Sequence, residues 1–144
     1  MSGIDLAASP GYLLKVASTA LRAAMEEVLH PLGMTITHYS CLELLAQRPG
    51  LSNSELARGT FVTRQSMNVL LQSLEQQGLV ARAERPVSGR ALPTELTAAG
   101  RRQLRTASAA VRAVEDRMVA GLADGDRERL TLLLASCAAA LRAD

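Results

Sequence analysis

Between Leu51 and Leu79 the sequence is punctuated so closely that few folds can accommodate it. Ser52-Asn53-Ser54-Glu55 is a capping box, in which a serine hydroxyl and a glutamate three residues on satisfy each other's free N–H groups. Leu51 and Leu56 stand where a hydrophobic staple would close over it. The helix that starts there is expected to be short, because Gly59-Thr60 breaks it. Thr63 then caps a further helix whose Met67, Leu70, Leu71 and Leu74 share one face. Gly78 stops that helix, and Leu79 supplies the apolar contact that follows such a stop. Two short helices joined by a tight turn bury little by themselves, so the rest of the chain must cover them.

The flanking segments read as that cover. From Tyr12 to Leu29, Leu13, Val16, Ala20, Leu21, Ala24 and Val28 form a helical stripe that ends at His30-Pro31 and Gly33. A second helix is expected from about His38 to Gln47, capped by Thr37, with Leu42, Leu45 and Ala46 inward and Pro49-Gly50 as its stop. Val80–Glu84 and Ala91–Leu96 can pair as strands around the basic tip Arg85-Pro86-Val87-Ser88-Gly89-Arg90. Thr97 caps a long helix carrying Leu104, Ala107, Val111, Val114 and Met118, ended by Gly121. A last helix after Asp124-Gly125-Asp126 carries Leu130, Leu133, Leu134, Cys137 and Leu141 on one face. The expected fold is mainly α with a small β-hairpin wing: a winged helix-turn-helix core flanked by N- and C-terminal helices.

Composition narrows the function. The 144 residues suit one cooperative domain. With one Phe, two Tyr and no Trp, the core must come from Leu, Ala, Val and Met. The net charge of +2 hides an asymmetry: from Arg48 to Arg105 there are nine arginines against four acids, whereas the remainder is net acidic. A basic middle between acidic flanks suits a module that meets a polyanion. The start MSGIDLAASP carries no basic stretch followed by an apolar run, and the uncharged stretch Thr131–Leu141 is too short to cross a bilayer. A cytoplasmic protein without a membrane partner is therefore expected. Cys41 and Cys137 lie far apart without CxxC spacing, so no disulfide framework, metal or cofactor is expected, and both thiols are read as core hydrophobes.

In a helix-turn-helix the second helix can enter a major groove and the wing an adjacent minor groove. With Met67, Leu70, Leu71 and Leu74 inward, Gln65, Asn68 and Gln72 form the opposite stripe, joined near its start by Arg64 and Ser66. Asn and Gln can pair with adenine and Arg with guanine, each good pair contributing roughly 1–3 kcal/mol of discrimination. Arg85 and Arg90 are the wing cations, suited to the negative potential of a narrow minor groove. Ser52, Ser54 and Thr63 stand at helix starts, where hydroxyls and free N–H groups bind phosphate, although capping alone explains them almost as well.

The run PGLSNSELARGTFVTRQSMNVLLQSLEQQGLVARAE, followed across the wing by ELTAAG, resembles the MarR family. The likeness makes residues 34–100 the winged core and residues 10–33 and 101–144 a helical dimerisation region of one MarR-like domain spanning 1–144. It implies a homodimeric repressor on a palindromic operator in double-stranded DNA, with half-sites about one helical turn apart. It aligns Thr63, Arg64, Gln65, Ser66 and Asn68 with the family's DNA-contacting positions and Arg90 with its wing-tip arginine. It also implies release by a small aromatic or anionic effector, for which His38 and Tyr39 are the candidates. Three departures are visible: Ser88-Gly89-Arg90 replaces Asp-Arg-Arg in the wing, Val69 replaces a basic residue, and Pro93 interrupts the returning strand.

Two other readings use the same residues. A thiol-sensing regulator would need Cys41 or Cys137 to be activated, but neither has basic support, and the family's sensing cysteine lies in the first helix, which has none here. A winged helix used only for protein association is compatible with the fold but makes no use of the basic segment. An enzyme is not expected, since no nucleophile, base and orienting acid are grouped in the sequence.

Overall fold

The computed structural model describes residues 3–82 and 93–142. Among these residues six α-helices and two strands follow in order: α1 (Pro10–Leu29), α2 (Ile36–Gln47), α3 (Asn53–Thr60), α4 (Arg64–Gln76), β1 (Val80–Arg82), β2 (Thr94–Leu96), α5 (Ala98–Val119) and α6 (Asp126–Arg142). The expected class, helical with a small antiparallel hairpin, is the observed one.

Local chemistry sets most boundaries. Ser9 caps α1, with Pro10 at a position that has no helical partner for an N–H anyway. Helix α2 starts two residues earlier than the sequence suggests. Thr35, not Thr37, is its cap, because the His38 ring stands in for the usual glutamate: Thr35 Oγ1 accepts from the His38 N–H at 3.1 Å, and His38 Nδ1 accepts from the Thr35 N–H at 3.2 Å. The Ser52–Glu55 box forms as expected, at 3.2 and 3.0 Å. Helix α3 is short, as expected, and ends at Thr60, with the left-handed turn itself at Phe61, φ of 61°. Gly59 lies inside its last turn, where a Cβ would collide with the Leu44 side chain.

The core lies between α2, α3, α4, the hairpin and the first half of α5. Leu42, Leu45, Leu56, Met67, Leu71 and Leu74 are sealed there, with Leu29 closing the end of α1. Val80, Ala81 and Arg82 pair with Leu96, Glu95 and Thr94, and the Thr94 N–H donates to the Leu51 carbonyl at 3.1 Å, which ties the hairpin to the start of α3. The described parts of the two expected strands are Val80–Arg82 and Thr94–Leu96; residues 83, 84, 91 and 92 of the expectation lie outside the described residues. Pro93, which has no N–H to give a ladder, lies just outside β2. Gly100 lets α5 cross the hairpin, since a Cβ there would collide with the Leu79 carbonyl.

The outer helices differ. Helix α1 packs along α5, but Leu13 and Val16 of its expected stripe are exposed, as are Leu133, Leu134 and Leu141 on α6 and Met118 on α5. Cys137 is also exposed, against the expectation of a core thiol, because no residue of α6 is buried among the described residues. Ala46, read as inward, is exposed one residue before α2 ends. Among the described residues no helix is long and apolar enough to cross a membrane.

Candidate nucleic-acid interface

Helix α4 sets a largely polar exposed face on a buried apolar one, with Val69 the exposed exception. Met67, Leu70, Leu71 and Leu74 hold it to the core, so Arg64, Gln65, Ser66 and Gln72 face outward. Its start is fixed by Thr63, whose Oγ1 accepts from the Ser66 N–H and donates to Ser66 Oγ, each at 3.0 Å. Ser52 and Ser54, half-exposed at the start of α3, lie on the same side of the turn. The two helix starts are joined by Asn53, which the sequence reading used only as part of the capping box. Its Nδ2 donates to the Arg64 carbonyl at 3.4 Å, and its Oδ1 is buried without a partner among the described residues.

Asn68 differs from its neighbours on α4: it is half-buried and its Oδ1 faces Arg82 Nη2 at 3.5 Å. Arg82 is the functional candidate that sequence reasoning passed over. Its Nε sits 3.2 Å from Glu75 Oε1, an ion pair by distance although not aligned as a hydrogen bond. The signal was available: Arg82 stands two residues after the buried Val80 on a strand, and so on the inward face. Arg85 and Arg90, the expected wing cations, lie outside the described residues.

The two effector candidates are adjacent in sequence but line different grooves. His38 opens onto a groove of about 400 Å³ between the start of α2 and α4, shared with Val62, Ser66 and Val69. Burial lowers its pKa, in keeping with a ring that must stay neutral to accept from Thr35. Tyr39 opens onto a groove of about 430 Å³ between α2 and α5, where Arg112 and Glu115 stand at the rim. There Glu43 accepts from Ser108 at 2.8 Å, from Tyr39 at 3.0 Å and from Gln47 at 3.0 Å. Burial acts to raise the Glu43 pKa, but these three hydrogen bonds and the Arg112 charge outweigh it and hold the carboxyl below its ordinary value. Burial raises the Tyr39 hydroxyl above its ordinary value, with Glu43 adding to it. Burial likewise pushes the Cys41 thiol up to about 12, the reverse of what a reactive thiolate requires.

A capped helix-turn-helix with an amide-bearing second helix, flanked by a hairpin, defines a winged helix-turn-helix protein. The MarR family profile matches residues 32–91. The HTH-type transcriptional repressor Rv2887 of Mycobacterium tuberculosis is 47% identical over 112 residues, 78% of this chain and 81% of that protein. The structure of Rv2887 in complex with DNA aligns with a TM-score of 0.77 at 40% identity, over 90% of this chain and 98% of that one. Its complex with salicylic acid aligns at 0.75 and 42% identity, over 90% and 96%. The chain belongs to the MarR family of transcriptional regulators.

Proposed function

We propose that the chain is a cytoplasmic transcriptional repressor without catalytic activity, which binds a palindromic operator in double-stranded DNA as a homodimer. The observation that carries this reading is the outward row Arg64, Gln65, Ser66 and Gln72 on α4, with Asn68 beside it, set on four buried apolar residues. Gln65, Asn68 and Gln72 meet base edges; Ser52, Ser54, Thr63, Arg64 and Ser66 meet phosphates; Arg85 and Arg90 enter the minor groove from the wing. Residues 34–100 are the DNA-binding core, and residues 10–33 and 101–144 form the dimer. Support for that division comes from the exposed leucines and valine of α1 and α6, which a second copy would cover.

A small aromatic or anionic effector releases the operator. The salicylic acid bound by Rv2887 supports that class, and the Tyr39 groove offers it an aromatic ring and the Arg112 cation, alongside the carboxylates of Glu43 and Glu115. The test is selection from random duplex DNA with the full-length protein, followed by binding to the recovered site across a salt series. A recovered palindrome, with Gln65→Ala relaxing base preference and Arg64→Ala weakening all sequences alike, is the expected result. No enrichment over non-specific binding would discard the reading in favour of a protein-association role.

A further inference from the structure

Building on the DNA-binding reading above, we propose that Arg82 is a positioning residue that turns the Asn68 amide, so that Asn68 prefers guanine over adenine at the base it meets. A guanidinium has five N–H donors and no acceptor, so the Asn68 atom facing it must be the oxygen, whichever way the amide would otherwise turn. That atom lies 3.5 Å from Arg82 Nη2.

Arg82 is not free to move away. Its side chain is 19% exposed, its backbone is held opposite the buried Thr94 in the hairpin ladder, and its Nε lies 3.2 Å from Glu75. Asn68 and Glu75 are seven residues apart on α4, which places them about two turns apart on one side of the helix. The arginine therefore lies along the helix and ties the first strand of the wing to it at two points.

With Oδ1 turned toward the hairpin, the opposite edge of the amide presents Nδ2 and its two hydrogens. Adenine offers a major-groove acceptor at N7 and a donor at N6, and its bidentate partner must supply both an oxygen and an N–H. Guanine offers two acceptors, N7 and O6, which suit an amide that only donates. The Arg82 contact thus converts an asparagine from an adenine reader into a guanine reader, without Arg82 touching a base.

The experiment uses the full-length protein and the operator recovered by selection. The base read by Asn68 is located as the position whose preference disappears in Asn68→Ala, and affinity for guanine and adenine there is then compared in wild type, Arg82→Leu and Glu75→Gln. The expected result is about a tenfold preference for guanine in wild type. In Arg82→Leu it falls below about twofold or inverts toward adenine, while preference at other positions stays as it was. Glu75→Gln, which leaves the hairpin intact and loosens only the anchor of the guanidinium, shifts the ratio the same way and carries the test if Arg82→Leu does not fold. A uniform loss of affinity with an unchanged guanine-to-adenine ratio would make Arg82 a purely structural residue and overturn the proposal. So would a wild-type preference for adenine, or an Asn68→Ala variant that alters no position. Failure to enrich any operator is a different result: it removes the DNA-binding reading itself, and this inference with it.

Discussion

Leu71 and Leu133 are both leucines on the apolar side of a helix, yet Leu71 is fully buried and Leu133 is 58% exposed. The first belongs to the winged core, where α2, α3, α4 and the hairpin close on one another around short, tightly capped turns. The second belongs to α6, where Leu132, Leu133, Leu134 and Leu141 are all exposed. Both helices carry the same signal in the sequence, because periodicity reports that a helix has an apolar face and says nothing about which molecule covers it. The winged core completes itself within one chain, whereas the outer helices leave a surface that requires something else.

The same substitution made in both regions is the sharpest way to break that comparison. Leu71→Ala opens a cavity in a closed core and is expected to cost about 2–5 kcal/mol in urea denaturation, by the same amount at every protein concentration. Leu133→Ala is expected to leave the winged core's stability unchanged when measured on dilute monomer and to raise the dimer dissociation constant by about tenfold, about 1.4 kcal/mol, in sedimentation equilibrium. Equal, concentration-independent losses at both positions would mean that α6 is packed within its own chain after all.

A smaller effect probes the boundary between the regions, at the start of α2. The His38 ring accepts the Thr35 N–H through Nδ1, and burial lowers its pKa, so the folded state holds the neutral ring more firmly than the unfolded chain does. The sign follows from linkage: the contribution is fully present above the unfolded histidine value and is lost as pH falls through the folded one. Stability is expected to fall by under about 1 kcal/mol, the scale of a helix cap, as pH drops from 7 to 5. His38→Gln keeps an acceptor at the same place without a titrating group, and is expected to flatten that slope in parallel melts. An unchanged slope would remove His38 as its source.

The part of the molecule legible in the sequence is the part governed by local rules. Ser52, Thr63 and Thr97 each cap the helix they were expected to cap, because a hydroxyl reaching the third residue on depends on nothing farther away. Thr35 was missed because its box uses a histidine where glutamate or glutamine is the usual signature. The buried row of α4 was legible, and with it the outward residues Arg64, Gln65, Ser66 and Gln72. The partnership of Asn68 with Arg82 was not, since it spans fourteen residues and depends on the hairpin register. His38 and Tyr39, neighbours in sequence, were read as one site; a helix turns about 100° per residue, and they face two grooves. The position of Cys137 failed for the same reason as that of Leu133.

Phe61 offers the smallest and most local test, and one with an unusual sign. It is 83% exposed and holds φ at 61°, a conformation that crowds a Cβ against the following carbonyl in any residue but glycine. The sequence places the break at Gly59-Thr60, and the helix does end at Thr60, but the left-handed residue is the next one, the phenylalanine. Little apolar burial at Phe61 offsets that strain. Asparagine adopts this region with less penalty and adds none of glycine's extra freedom to the unfolded chain. Phe61→Asn is therefore expected to stabilise the protein by about 0.5 kcal/mol in thermal or urea melts, against the usual direction of a point substitution. A loss instead would show that the exposed ring makes a contact in the assembled protein, and would extend the interface of the outer helices to the turn before α4.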